Sequence, residues 1–139
     1  LYNSANSIHL PLPVVDWKNE INKLIEKDYI EDCTMRILVV GTETPTWFIT
    51  WTKLLTYPDS YYKEGVDVIT YNGERFLPQS KTGNLLVNFL SREEAKRNNA
   101  FEALLVDRHG KIQEGSRSNF YVLKGDTIKQ PQTRKCWME

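Results

Sequence analysis

The sequence predicts an α+β fold on three observations: two stretches with apolar residues at helical spacing, three short runs of β-branched and aromatic residues, and two strand–turn–strand patterns towards the C-terminal end. The first clear helix is expected over about residues 17–28. Trp17, Ile21, Leu24 and Ile25 fall on one face, Asp16 stands where an N-cap belongs, and Glu20 puts negative charge in the first turn, where the helix dipole favours it. Upstream, Leu1, Ala5 and Ile8 suit the tail of a helix over 1–8. HLPLP at 9–13 ends it, because proline lacks an amide donor and restricts the residue before it.

MRILVVG (35–41), WFITWTK (47–53) and VDVITYN (66–72) read as strands, with 57–65 a loop between the second and third. Residues 74–83 are irregular, with Pro78 and Gly83 as breakers. A helix begins after Asn84, with Leu86, Phe89 and Leu90 as its apolar stripe and Glu93, Glu94, Lys96 and Arg97 as a solvated stretch. Residues 101–107 and 111–115 form one hairpin about Arg108-His109-Gly110. Residues 119–123 and 127–130 form a second about Lys124-Gly125-Asp126. The pattern is a small strand–helix unit followed by one helix leading into antiparallel strands, with no repeat, linker or low-complexity segment.

The chain has 139 residues, of which 40% are hydrophobic and 26% charged, which suits a globular chain with a modest core. Eighteen basic and eighteen acidic residues cancel. A nucleic acid or an anionic membrane surface calls for a basic face, so neither is an expected partner. No apolar run approaches the roughly 18 residues of a membrane span, and the first residues lack the basic start and apolar stretch of a signal peptide. Cys33 and Cys136 stand outside any CxxC pair and read as two thiols rather than a metal site or a suggested disulfide.

Two residues draw attention as candidates for chemistry. Lys81 sits in a segment bounded by proline and glycine just before a helix. Glu114 lies 33 positions later in EGSRSN, between strands. Small hydrogen-bonding residues of that kind suit a backbone close to a ligand. Taken alone, each still has an ordinary reading: a lysine is usually a solvated charge, and a glutamate beside glycine is usually a turn residue.

The order of motifs changes the balance. KTGNLL, a helix, then AFEALLVDRHGKIQEGSRSNFYVLKGDTIKQP resembles the class IV aminotransferases, the fold-type IV pyridoxal-phosphate enzymes that include branched-chain aminotransferases, D-amino-acid aminotransferases and aminodeoxychorismate lyases. The matching positions are Lys81, Asn84, Glu102-Ala103-Leu104, Asp107, Gly110, Ile112, Glu114-Gly115 and Asn119. Gln130-Pro131 departs from the family's Thr-Pro. LYNSA, and DWKNEINKLIEKDYIEDCTMRILVVG after PLP, extend the resemblance back to residue 1. It implies the fold-type IV arrangement, with most of a small α/β domain over 1–78, the first strands of the larger cofactor-binding domain over 79–131, and an atypical tail over 132–139.

The resemblance also implies roles. Lys81 is the lysine that forms the Schiff base with pyridoxal 5′-phosphate. That chemistry needs an amine able to be neutral near pH 7, so burial or a nearby positive charge has to lower an ordinary value of about 10.4. Glu114 is the partner of the pyridine nitrogen, and Ser118 and Asn119, with Ser116, shape the loop under the cofactor. Arg36 and Arg75 are candidates for the substrate carboxylate, which a guanidinium meets with a bidentate fork; for Arg36 a structural salt bridge is an equal alternative.

Leu85 stands where branched-chain enzymes carry a tyrosine, and is closer to the D-amino-acid enzymes. Yet the arginine those enzymes use after the first strand has no counterpart in residues 41–51. Amino transfer between an amino acid and a 2-oxo acid is therefore the first expectation, with lyase-type elimination the alternative. The family implies a homodimer, and the absent signal and metabolic chemistry imply a cytoplasmic location. In the family a phosphate-binding arginine precedes the residue matching Leu1, and a Gly-Ile-Thr helix start follows the second hairpin. The chain thus reads as an internal fragment, with a non-catalytic remnant that does not hold the cofactor as the competing reading.

Overall fold

A computed structural model describes residues 1–131; the expectations for the tail 132–139 and for Cys136 lie outside the described residues. The chain divides into two compact units, one over Leu1–Pro58 and one beginning at Asp59.

The first unit starts with helix α1 (Tyr2–Ser7) and continues into helix α2 (Trp17–Asp28). Asp16 caps α2 as expected, its side chain accepting from the Asn19 amide at 3.1 Å, and Tyr29 ends it in the left-handed region at φ 52°. The face expected to be apolar is the one that is half-buried: Trp17, Ile21, Leu24 and Ile25. Strands β1 (Cys33–Val40) and β2 (Thr46–Lys53) pair antiparallel from Cys33 opposite Lys53 to Val40 opposite Thr46. Along β1 the half-buried positions alternate (Cys33, Met35, Ile37, Val39), the period-2 signature of a sheet covered on one face. Trp17 meets Trp47 edge-to-face at 5.6 Å, and Trp51 Nε1 donates to Asp28 at 2.7 Å, so aromatic residues fasten α2 to the hairpin.

The second unit opens with a short helix α3 (Asp59–Lys63), within the segment expected to be a loop. Tyr61 packs edge-to-face on Phe101 at 5.2 Å, a tertiary contact that no local pattern announces. Strand β3 (Val68–Asn72), helix α4 (Leu86–Arg97), strand β4 (Glu102–Val106) and strand β5 (Ile112–Gly115) follow. The sheet order is β3-β4-β5, with β3 parallel to β4 and β5 antiparallel to it. The expected β4–β5 hairpin is present, but α4 is a crossover between parallel strands rather than a lead-in to an all-antiparallel sheet. β3 belongs with this second unit because its backbone pairs with β4, whereas the expected domain boundary lies after it, at residue 78. A second hairpin, β6 (Val122–Lys124) with β7 (Thr127–Lys129), turns at Gly125, whose φ is 57°.

Helix α4 corrects one sequence expectation. Leu86, Phe89 and Leu90 are exposed, at 64%, 60% and 45%, and the buried face is Ser91 and Ala95, flanked by the half-buried Val87 and Asn88. Small side chains let the helix backbone lie close to β4, where Ala103 and Leu105 complete the core. The Ser91 hydroxyl donates back to the Asn88 carbonyl at 3.1 Å, so burying it leaves no donor orphaned.

Candidate active site

β4 is the central strand, and Glu102, Ala103 and Leu105 are all buried. Its antiparallel partner β5 carries an irregularity: Leu105 pairs with Glu114, but Val106 pairs with Ile112, leaving Gln113 as the extra residue of a bulge. Bulges re-aim the neighbouring side chains, and here both Gln113 and Glu114 line one cavity of about 380 Å³, together with Arg75, Phe76, Leu77, Leu105 and Asp107. Asp107 holds the turn before the bulge. Its carboxylate accepts from the His109 amide at 2.8 Å, the Lys111 amide at 2.9 Å and the Gln113 side chain at 2.5 Å. The Lys111 amide bond is the largest of the influences that hold the Asp107 carboxyl below its ordinary value.

Glu114 is buried and faces Arg75, also buried, at 3.6 Å between Oε1 and a terminal guanidinium nitrogen. The other terminal nitrogen of Arg75 donates to the Ser80 carbonyl at 3.0 Å. One guanidinium thus stands between the carboxylate of Glu114 and the residue directly before Lys81. The Arg75 Nε is buried with no hydrogen-bond partner. Ser80 is itself buried, and its amide donates to the Leu77 carbonyl at 2.9 Å, which anchors the backbone leading to Lys81. Lys81 is exposed. The burial expected around it is not found: it lies on the irregular stretch between Ser80 and α4, where Thr82, Gly83, Asn84 and Leu85 form surface turns rather than a packed layer.

The EGSRS loop is organised by Glu102. Its carboxylate accepts from the Ser116 hydroxyl at 2.5 Å, the Ser116 amide at 3.1 Å, the Ser118 hydroxyl at 2.9 Å and the Ala103 amide at 2.9 Å. Burial pushes the Glu102 carboxyl up, but these hydrogen bonds outweigh it and hold the group below its ordinary value. Gly115 is required in this wrap, since a Cβ there would collide with the Ser118 hydroxyl and lie 3.0 Å from Glu102 Oε2. From the helix side, the Asn88 amide donates to the Ser116 carbonyl at 2.8 Å. Arg117 lies over the Phe101 ring at 4.9 Å.

The second unit therefore holds Arg75, Lys81, Glu114, Ser118 and Asn119, and ties the first three together through Arg75 and Ser80. Ser118 commits its hydroxyl to Glu102, and Asn119 is exposed beyond the loop. Arg36 lies in the first unit, exposed on β1 opposite Thr50. Glu102 and Asn88 carry the loop, yet sequence reasoning gave neither a role. Their signals were present: a carboxylate where strand alternation allows burial, and an asparagine in mid-helix, where its propensity is poor.

The sequence profile described as amino-transferase class IV matches residues 1–138, and the chain belongs to that family. Among individual proteins, a D-alanine aminotransferase of Bacillus licheniformis is 30% identical over 141 residues, which cover 92% of this chain and 50% of that protein. The structure of a hypothetical aminotransferase from Mycobacterium tuberculosis, in its α-ketoglutarate- and PMP-bound form, superposes with a TM-score of 0.74 at 23% identity, over 93% of this chain and 52% of the other. A putative 4-amino-4-deoxychorismate lyase structure matches at 28% identity with a TM-score of 0.71, over 92% of this chain and 53% of the other. The fold is thus that of the N-terminal portion of fold-type IV enzymes, and the chain spans about half the length of the proteins it matches.

Proposed function

We propose that this chain forms part of a pyridoxal-phosphate-dependent aminotransferase that moves an amino group between an amino acid and a 2-oxo acid, working as a cytoplasmic homodimer. The observation that carries this reading is the Glu114–Arg75–Ser80 connection, which links the segment of Lys81 to a buried carboxylate in a cavity. The donor set suits the cofactor. A buried carboxylate with an open cavity beside it can accept from a pyridinium N–H, and Lys81 directly follows Ser80, whose buried backbone is hydrogen-bonded to Arg75 in the cavity wall.

When bound, pyridoxal phosphate supplies an electron sink for the charge left at the substrate Cα. Glu114 would accept from the ring nitrogen and keep the proton on it. Lys81 would hold the cofactor by its aldehyde carbon and, once displaced by the substrate amine, would take the proton from the substrate Cα and deliver it to that former aldehyde carbon, C4′, two bonds away. Ser118 and Asn119 would belong to the loop that shapes the floor under the cofactor, as the family resemblance implies. Arg36, exposed on β1 of the first unit, is the candidate for the substrate carboxylate on the family resemblance alone.

The test is to add pyridoxal phosphate, reduce with borohydride and map the adduct. Saturable labelling of Lys81, lost in Lys81→Ala, is expected; diffuse labelling across surface lysines would refute the reading. Glu114→Gln should keep the label on Lys81 while turnover falls by about 100-fold or more. Elimination is the second reading, favoured by the 28% identity to the putative lyase. Sustained release of a 2-oxo acid with no amino acceptor present would select it.

A further inference from the structure

We propose that Arg75 is a positioning residue: its guanidinium holds the Glu114 carboxylate and the backbone entering Lys81 in one fixed relation, and does not meet the substrate. The inference rests on the function proposed above and deepens it. Arg75 was expected on the substrate side, but its surroundings point elsewhere. It is 7% exposed. Its two terminal nitrogens are committed in different directions, one to Ser80 O at 3.0 Å and one towards Glu114 Oε1 at 3.6 Å. A fork split in this way cannot present both terminal nitrogens to a ligand carboxylate, which is how guanidinium recognition of carboxylates works.

The split suits a spacer. Glu114 is fixed to the sheet through β5, whereas Lys81 lies on an irregular segment outside the sheet. A cofactor ring gripped by both residues demands a set distance between them, and the planar, always charged guanidinium supplies a rigid link across that gap. Lysine, a point charge on a flexible stem, can face Glu114 or the Ser80 carbonyl but reproduces the two-way geometry poorly. Methionine fills the volume and removes both contacts.

The experiment is a double-mutant cycle in the full chain, using Arg75→Met, Glu114→Gln and the pair, with Arg75→Lys as the conservative variant. Two readouts are taken: the midpoint of thermal unfolding without cofactor, and the dissociation constant for pyridoxal phosphate with the visible absorbance of the bound form. Arg75→Met and Glu114→Gln are each expected to weaken cofactor binding at least tenfold. The double variant should be no worse than the poorer single, and Arg75→Lys should recover part of the loss. The bound-form absorbance and its pH titration should change in Arg75→Met, which a purely structural arginine would not cause.

Effects on cofactor affinity that multiply, or an Arg75→Met protein that binds within twofold of the wild type with unchanged absorbance, would overturn the proposal. Should Arg75→Met not fold, Arg75→Lys against Glu114→Gln gives the same cycle: independent effects refute the link and shared effects support it. Failure of the function reading is separable. A wild type that takes no label on Lys81, with strong coupling in the cofactor-free unfolding midpoints, would overturn that reading while leaving the Arg75–Glu114 pair intact.

Discussion

Glu102 has no part in the proposed chemistry, yet four donors from the EGSRS loop and the neighbouring backbone converge on its carboxylate. Hydrogen bonds to a charged, buried acceptor are the strong kind, and removing the charge leaves hydroxyl and amide donors unanswered. Glu102→Gln should therefore destabilise the second unit by about 2 kcal/mol or more, measured by urea unfolding at neutral pH. The carboxyl lies below its ordinary value of 4.5 in the folded chain, so its contribution is complete above that value and fades as acid carries the solution through the folded one. The gap between wild type and Glu102→Gln should accordingly narrow below about pH 4.5; a gap that stays constant into acid would show that the charge carries none of the effect. The identities of Glu102, Lys81 and Glu114 were legible in the sequence through ordered motifs. The bonding of Glu102 was not, because it joins residues 14 to 16 positions apart across a strand pair whose register no local pattern fixes.

At the scale of elements, hydrophobic spacing served α2 and failed α4. In α2 the apolar face and the Asp16 cap point to the same helix, and that face is the half-buried one. In α4 the large apolar residues and the small ones lie on different faces, and close approach to β4 selects the small ones. Ala95→Leu, which overfills that contact, should then cost about 1–3 kcal/mol, while Lys96→Leu on the adjacent exposed position should stay within about 0.5 kcal/mol. Thermal unfolding of the two variants side by side checks the assignment, and equal losses would contradict it. The parallel pairing of β3 with β4 was missed for a related reason: strand runs can be read from composition, but partner choice is a property of the whole sheet. α3 escaped notice because five residues of tyrosine-rich sequence carry too little periodicity to mark a helix.

On the scale of the molecule, the chain is two units, and the segment joining them, 54–58, lies outside helix and strand, with Leu54 and Leu55 more than half exposed. Brief chymotrypsin digestion should cut first at Leu54 or Leu55 and release two stable pieces, read by mass spectrometry. A ladder of cuts within β1–β2 or β3–β5 would mean that neither unit is the cooperative body its contacts suggest. The family and fold class were legible because the motifs run in order along nearly the whole chain. The unit boundary was not, since β3 lies close to the first strands in sequence but takes its hydrogen bonds from β4. No helix among the described residues is long and apolar enough to cross a membrane.

The bulge at Gln113 has a further consequence for how β5 tolerates change. The turn-side and loop-side halves of that strand are out of phase by one residue, so inward and outward positions cannot be counted across it in twos. Deleting Gln113 would make the ladder regular only by dragging either the Asp107 turn or the Glu102-bound loop one step along β4. Length at this one position is therefore as strictly specified as residue type is at Glu114, and a single-codon loss here would disturb the aim of the Glu114 carboxylate without replacing any other residue of the chain.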